Sequence, residues 1–404
     1  MHMRKPPFAQ WMRLLAMLSA LLLLMTACGG AAETGEEGAT GDAAAGEARD
    51  ANGVIRLVMA PDPVWKWITD QGIRQEMEEA AGMQVLDSAT WDEFGVYAGG
   101  HADVVSAAAY EVPELEEATG IDTTVFGKFN SDRSVLAVRS DSEYQDLCDL
   151  EGQKIVSLSA VSITIMWGIY AQEKCGLELS ADGGDFELIV ADIQNLASLT
   201  ASGDAEACLC LPDFGIPQLR SGELRPLYEG RSAAQIFADD YGNGHDGPQT
   251  NVFLAPTAWV DRNPEEAAFL LSLWERAVQE WQTNRDAIID AYPEDFAAQS
   301  PEDSAFIKDW ITNNYDWFEE TVYLDQEWID GEMQIFDLMR ETGYIAEDAE
   351  NPTFKIIEPP SGAAAPSAAP SAPAAPSAAP SAPAAAPSAP AEPPPAAASA
   401  PPSE

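Results

Sequence analysis

Basic residues are scarce in this chain. Its 404 residues hold 21 Lys and Arg against 67 Asp and Glu, a formal net charge of -46. Nucleic acid is thereby excluded as a partner, because neutralising phosphates needs the opposite sign. The acidic excess is spread along the chain rather than gathered in one block. Such a surface keeps a protein soluble but repels itself unless salt screens it. A saline habitat is the preferred reading, and cation binding is the functional alternative. Histidine is limited to His2, His101 and His245, and no Gly-x-Ser-x-Gly, His-Glu-x-x-His or P-loop pattern occurs. The common hydrolase, metallopeptidase and phosphate-loop readings therefore lose their residues, and neither a cofactor nor a metal is expected. Large apolar side chains are missing from Gly29 to Gly53, and again from Pro359 onward, where Ala, Pro and Ser take over. Neither stretch can build a core.

What stands between those gaps is rich in Trp, Phe, Ile, Leu and Val and long enough for two lobes. Ahead of it lies an export-type start: Arg4, Lys5 and Arg13, then an apolar run from Leu14 to Met25 too short to span a bilayer comfortably. Met25-Thr26-Ala27-Cys28 resembles a bacterial lipobox, with Met25 in a slot more often held by Leu. The resemblance implies cleavage before Cys28 and a lipid on its sulfur, so an extracytoplasmic protein anchored to the cell membrane. Residues 1–27 are then a signal peptide and 28–53 a flexible acidic tether; a plain secretory signal is the alternative. The tail, 358–404, repeats PSAAPSAPAA at Pro366 to Ala375 and Pro376 to Ala385. Polyproline-like chain rises about 3.1 Å per residue, so some 45 residues reach about 140 Å. A wall spacer and a solubilising tail are equally compatible with it.

The core alternates strand and helix. Val54 to Met59 reads as a strand, Trp65 to Ala81 as one helix stopped by Gly82, Met83 to Leu86 as a strand and Trp91 to Ala98 as a helix. Ala102 to Val105 is a strand leading into the helix Pro113 to Thr119. Thr123 to Phe129 and Ser134 to Arg139 are expected to pair across the turn Asn130-Ser131-Asp132-Arg133. The alternation resumes with Lys154 to Ser157, Thr164 to Lys174, Phe186 to Val190, Ile193 to Ala201 and Ala207 to Leu211. Pro264 opens a long helical region reaching about Gly343. Short strands alternating with helices predict open α/β sheets.

Three stretches carry a family resemblance: Gly127 to Val138 (GKFNSDRSVLAV), Leu147 to Ile155 (LCDLEGQKI) and Asn263-Pro264-Glu265. They are similar to solute-binding proteins of ABC importers, most of all the nitrate/sulfonate/taurine-binding group. Gly100 to Val104 and Ser202 to Leu211 match the same pattern. The resemblance spans most of Val54 to Asp290. It implies a bilobal type 2 periplasmic-binding-protein fold: two open α/β sheets, a two-strand hinge and a ligand held between lobes. Its expected layout is 54–129 for lobe 1, 130–225 for lobe 2, and 226–357 returning to lobe 1. The implied partners are ABC permease subunits and a small solute, with the protein a monomer.

Ligands in open α/β sheets sit beyond the C-terminal ends of the strands, against helix N-termini. The loops there offer Asp62 and Trp65, Trp91, Tyr110 and Glu111 in the first lobe, and Ser159, Val161, Ser162, Asp213 and Phe214 in the second. A Ser-rich turn opening a helix suits a sulfonate, carboxylate or similar anion, or else Ser159 or Ser162 merely caps that helix. Lys66 and Arg133 are the nearest basic residues for such an anion. Aromatic faces beside Asp62, Glu111 and Asp213 suit a cation instead. Ligand charge stays open. Trp274, Trp281, Trp310, Trp317 and Trp328, read as lying on helices, are assigned to packing.

With Cys28 lipidated, Cys148 and Cys175 flank one βα unit and are placed to pair; Cys208 and Cys210 share a strand face, where a bridge is expected to be strained. Two rivals to transport remain. Thiamine-pyrimidine synthases resemble this group but carry cysteines on the strand before the Asn-Pro-Glu helix, and Thr250 to Phe253 has none. An envelope sensor or scaffold is the other.

Overall fold

The computed structural model describes residues 50–180, 183–242, 247–314, 316–318 and 321–359. The signal peptide, Cys28 with the tether up to residue 49, and the tail beyond 359 lie outside these residues, whereas the end of the expected tether is part of the fold: the buried Ala51 donates its amide to Asn263 Oδ1 at 2.8 Å.

The first lobe opens with β1 (Val54–Met59), α1 (Pro63–Asp70), α2 (Ile73–Ala81), β2 (Gln84–Ala89), α3 (Glu93–Ala98), β3 (Val104–Ala107), α4 (Val112–Thr119) and β4 (Thr123–Ser131). The single helix expected from Trp65 to Ala81 is two helices. Gly72 sits at φ +72°, a left-handed conformation that ends one helix and starts the next. The second lobe follows with β5 (Val135–Arg139), β6 (Lys154–Ser157), α5 (Ile163–Cys175), β7 (Glu187–Val190), α6 (Leu196–Ser202), β8 (Ala207–Cys210), α7 (Ile216–Ser221), β9 (Leu224–Pro226) and α8 (Ala233–Tyr241). The chain then runs through β10 (Gln249–Pro256), α9 (Thr257–Arg262), α10 (Pro264–Ala291), α11 (Pro301–Asn313), α12 (Gln326–Glu341) and β11 (Thr353–Phe354).

The strands form two sheets, ordered β11-β4-β10-β3-β1-β2 and β7-β6-β8-β5-β9. Each has a parallel trio followed by one antiparallel strand, β10 in the first and β5 in the second. Those two antiparallel strands are the ones that have just crossed from the other lobe. β4 and β5, expected to pair as a hairpin, belong to different sheets, and residues 131–134 are the crossing between them. The return crossing lies alongside it: the Asp132 amide donates to the Pro248 carbonyl at 2.9 Å, and Gln249 is in register with Ser131.

The chain stays with the second lobe beyond residue 226. The Tyr170 hydroxyl of α5 donates to the Ala233 carbonyl of α8 at 2.6 Å, and Phe237 is buried in the apolar cluster that holds Trp167, Ile169 and Tyr170 of α5. The C-terminal region is also not confined to the first lobe. Trp328, Ile335, Phe336 and Met339 of α12 join the apolar cluster that holds Trp167 and Ile169 of α5. Beyond α12, the Tyr344 hydroxyl donates to the Leu179 carbonyl and passes so close to Gly168 that a Cβ there would lie 1.5 Å from its oxygen. β11 then returns to pair with β4 in the first sheet. Residues 326–354 thus strap the two lobes together.

Cys148 and Cys175 form a disulfide, and so do Cys208 and Cys210. β8 accommodates the second by drawing the two Cα atoms to 5.2 Å, against about 6.6 Å for two residues of regular strand.

Candidate functional site

Both sheets turn the C-terminal ends of their parallel strands toward the crossing segments, and the loops there bring buried charge together. Pro63 starts α1, where a missing N–H costs nothing, and Asp62 caps it. One Asp62 oxygen accepts from the Val64 and Trp65 amides at 2.8 and 2.9 Å. Burial pushes this carboxyl up to about 6, opposed by the two amides and by Arg133. The donor end of α1 is therefore filled by the chain's own carboxylate.

Arg133 stands in the first crossing. Its Nε and Nη2 donate to the two oxygens of Asp213 at 3.1 Å each, and its guanidinium lies 4.5 Å from the centre of the Trp317 ring. Both partners are buried, Asp213 almost completely. This bidentate pair ties the crossing to the loop after β8. One residue earlier, Asp132 accepts from the Ser134 amide at 3.0 Å and the Ser134 hydroxyl at 2.6 Å, and Trp167 Nε1 donates to the same hydroxyl at 2.9 Å. Tyr110 reaches Asp132 at 3.4 Å. Burial pushes Asp132 up to about 6 as well.

At the outer rims the lobes meet through aromatic rings. Trp91, half exposed, stands edge-on to Phe214 with centroids 5.7 Å apart. Behind Trp91, the half-buried Glu93 opens α3 near Glu111, whose carboxylate accepts from the Ala108 amide at 2.9 Å. Burial and the neighbouring Glu111 and Asp92 charges push Glu93 up to about 8; burial pushes Glu111 up to about 7.

In the second lobe, the loop after β6 is held from within. Ser159 donates to the Val161 carbonyl at 2.8 Å, and the Thr164 hydroxyl bridges Ser157 Oγ and the Ser159 carbonyl at 2.7 Å. Ser162 sits at φ 54°, ψ −135°, and its side chain makes no capping bond to α5. The helix-capping role considered for these serines is thus absent, and α5 begins without a side-chain cap.

No protein-family model matches this chain, and no curated protein matches it in sequence. Solved structures do. The periplasmic aliphatic sulphonate binding protein SsuA from Escherichia coli superposes with a TM-score of 0.56 at 14% identity, covering 75% of this chain and 92% of that one. SsuA from Xanthomonas axonopodis pv. citri, an alkanesulfonate-binding protein seen with MOPS, gives 0.56 at 15% identity over 72% and 93%. The periplasmic nitrate-binding protein NrtA from Synechocystis PCC 6803 gives 0.51 at 16% identity over 75% and 86%. The fold is that of a periplasmic binding protein.

Within that fold, the expected site residues separate into two groups. Asp62, Trp91, Asp213 and Phe214 gather around the crossing and its flanking rims, with Ser159, Val161 and Ser162 at the start of α5. Trp65 is instead enclosed in the first-lobe core: its indole N–H donates to Asp87 at 3.1 Å, and its ring packs against Trp274 and Arg74. Tyr110 is also fully enclosed, and Glu111 closes its own turn. Of the two basic candidates for an anion, Lys66 pairs with Asp295 at 2.6 Å and Arg133 with Asp213. Sequence reasoning missed Glu93 and the Arg133–Asp213 pairing. Position 93 follows a cleft loop, a signal that points to it; a pairing between residues 80 apart leaves none.

Proposed function

We propose that this chain is the extracytoplasmic substrate-binding component of an ABC importer, capturing a small organic solute between its lobes. The observation that carries the reading is the paired crossing with a buried Arg133–Asp213 bridge, flanked by two sheets of the same plan whose strand ends face it. The sulfonate- and nitrate-binding proteins that share this fold support it. Ligand capture is then a population shift toward a closed form, with no covalent chemistry required. Lipid attachment at Cys28 would hold the protein at the membrane beside its permease.

The test is thermal denaturation of the purified protein in high salt against sulfonates, nitrate, carboxylates, pyrimidines and amines. A ligand at a hundred times its Kd stabilises by about 2.7 kcal/mol, a shift of several degrees or less for a protein of this size. No shift with any class, in a cooperatively folded protein, would favour a sensor or scaffold. Radiolabelled palmitate incorporation lost in Cys28→Ser tests the anchor.

A further inference from the structure

The second lobe holds a cavity of about 110 Å³ between α5, α8 and the turn at residues 228–231. None of the residues considered for the solute lines it. Trp167 and Tyr170 of α5 form its buried floor, and Tyr228 forms a wall. The polar tip of each is engaged with the protein. Trp167 Nε1 donates to Ser134 Oγ at 2.9 Å, the Tyr170 hydroxyl donates to the Ala233 carbonyl at 2.6 Å, and the Tyr228 hydroxyl accepts from the Leu147 amide at 2.8 Å. What the three residues offer the cavity is carbon, the faces and edges of aromatic rings. The Trp167 and Tyr228 rings are nearly parallel, 24° apart in plane with centroids at 6.1 Å. Tyr228 holds its place at φ 53°, and Glu229 follows at φ 61°. Two consecutive residues with side chains in the left-handed region are strained, and such strain collects where a site needs a group held in one position.

The mouth of the cavity is charged. Lys174 and Arg231, two of the chain's 21 basic residues, stand there with Asp240. Lys174 pairs with Asp240, and Arg231 with Asp239, which lies outside the lining. The lining itself thus carries two cations and one carboxylate. These pairs differ from Arg133–Asp213: their side chains are 36–59% exposed, against 9% and 1% in the buried pair. Exposed pairs hold weakly, because water screens both charges. A carboxylate arriving from solvent can therefore share Lys174 and Arg231 at little cost, whereas at Arg133 it would strand the buried Asp213. An apolar cavity of about 150 Å³ takes a benzene ring. This one, open at its mouth, takes a single ring with its substituent left at the charged rim.

We propose that this cavity is a second binding site, for a small aromatic carboxylate whose ring packs against Trp167 and Tyr228 and whose acid group pairs with Lys174 and Arg231. The site does not depend on the solute-binding reading above. Its floor residue Trp167 also holds Ser134 of the crossing, so the ligand packs on the core that carries the crossing.

Isothermal titration calorimetry on the full chain tests the site with benzoate as the probe. Benzyl alcohol keeps the ring without the charge, benzylamine reverses the charge, and cyclohexanecarboxylate keeps the charge without the aromatic face. Benzoate should bind, with the alcohol and the amine weaker by about tenfold for the lost charge-assisted bonds. Cyclohexanecarboxylate should be weaker by several-fold, for the lost ring contacts. The double variant Lys174→Gln with Arg231→Gln should weaken benzoate by about tenfold. Both positions are exposed, so this variant keeps the fold, and circular dichroism checks it. Tyr228→Gly removes the wall while relieving its backbone strain, and should abolish the binding. Benzoate affinity unchanged in the double variant would put the probe elsewhere, in the space between the lobes or on the surface, and would overturn the site. A preference for benzylamine, or no binding of benzoate by the folded protein, would overturn it too. Cyclohexanecarboxylate binding as tightly as benzoate would overturn the aromatic assignment. None of these outcomes removes the solute-binding reading.

Discussion

Two helices begin beside the crossing, one in each lobe, and they begin differently. α1 has Pro63 in its first turn and the Asp62 carboxylate across two of its amides. α5 has no side-chain cap, and the residue before it, Ser162, holds a backbone conformation that L-residues seldom adopt. The first lobe thus closes its donor end and presents carboxylates and an indole. The second makes no side-chain capping bond at its donor end and contributes the residue that neutralises Arg133. Two lobes of one sheet plan therefore bring opposite chemistry to the space they share. A repeated architecture has been divided between an acid-bearing wall and a donor-bearing wall.

The sharpest way to break that division is at the Arg133–Asp213 pair, the point where the crossing is fastened to the second lobe. Removing one partner of a buried pair strands the other charge and costs about 3–5 kcal/mol. Arg133→Met and Asp213→Leu should each lower stability by that amount in urea denaturation, and the double variant should recover most of it. Single-variant losses under about 1 kcal/mol would mean that the pair is solvated and does not fasten the lobes.

The lobes should also respond differently to reduction. All four cysteines of the described region lie in the second lobe, and the Cys148–Cys175 bridge closes 27 residues. The chain-entropy relation gives about 3.5 kcal/mol for a loop of that length. Replacing both cysteines by serine should lower the unfolding free energy by this order. Hydrogen exchange should then show the loss mainly in β5 to β9 and little in β1 to β3. An even loss across both sheets would mean that the shared core under α12 unfolds the lobes as one unit.

Acidity works on the first lobe. The carboxyls of Glu93 and Glu111 are raised to about 8 and about 7 by burial, from 4.5 in the unfolded chain. A group raised on folding contributes stability that is complete below its unfolded value and is lost as pH rises through its folded value. Between about pH 4.5 and 8 the ligand-free protein should therefore lose stability as pH rises, by up to about 1.4 kcal/mol per pH unit for each group titrating. Glu93→Gln should flatten the slope in a series of denaturation curves from pH 5 to 8. An unchanged slope would place the titrating groups elsewhere, with Asp132 in the hinge the next to test.

Much of this architecture is written in local sequence. Runs such as Leu57 to Met59 and Ala207 to Cys210 are buried strand because their apolar residues are contiguous, and the helices between them start and stop where Pro and Gly allow. The Asn130 to Arg133 segment misleads because its polar residues have turn chemistry. The same residues serve a crossing: Asp132 bonds forward to Ser134, while Arg133 reaches a loop 80 residues away. The lobe to which α8 and α12 belong is equally hidden, since an apolar face does not specify which core it covers. In the site, candidates near strand ends were legible by position. Their exposure was not: Trp65 and Trp91 read alike in sequence, yet one lies in the core and the other at the rim. Only packing distinguishes them.

The smallest effect probes the contrast between the two helix starts directly. Asp62→Ala removes a cap from α1 and should cost about 1 kcal/mol, the usual value for losing such a bond pair. Ser162→Gly should act in the opposite direction, because glycine adopts φ near +54° without strain. The gain is limited by the extra freedom glycine gives the unfolded chain, so a net stabilisation of about 0.5–1 kcal/mol is expected. Thermal melts at fixed pH resolve both signs. If Ser162→Gly instead destabilises by a comparable amount, its hydroxyl makes a contact that outweighs the backbone strain. The second-lobe helix would then be held by side chain after all, and the division of chemistry between the lobes would rest on the first-lobe carboxylates alone.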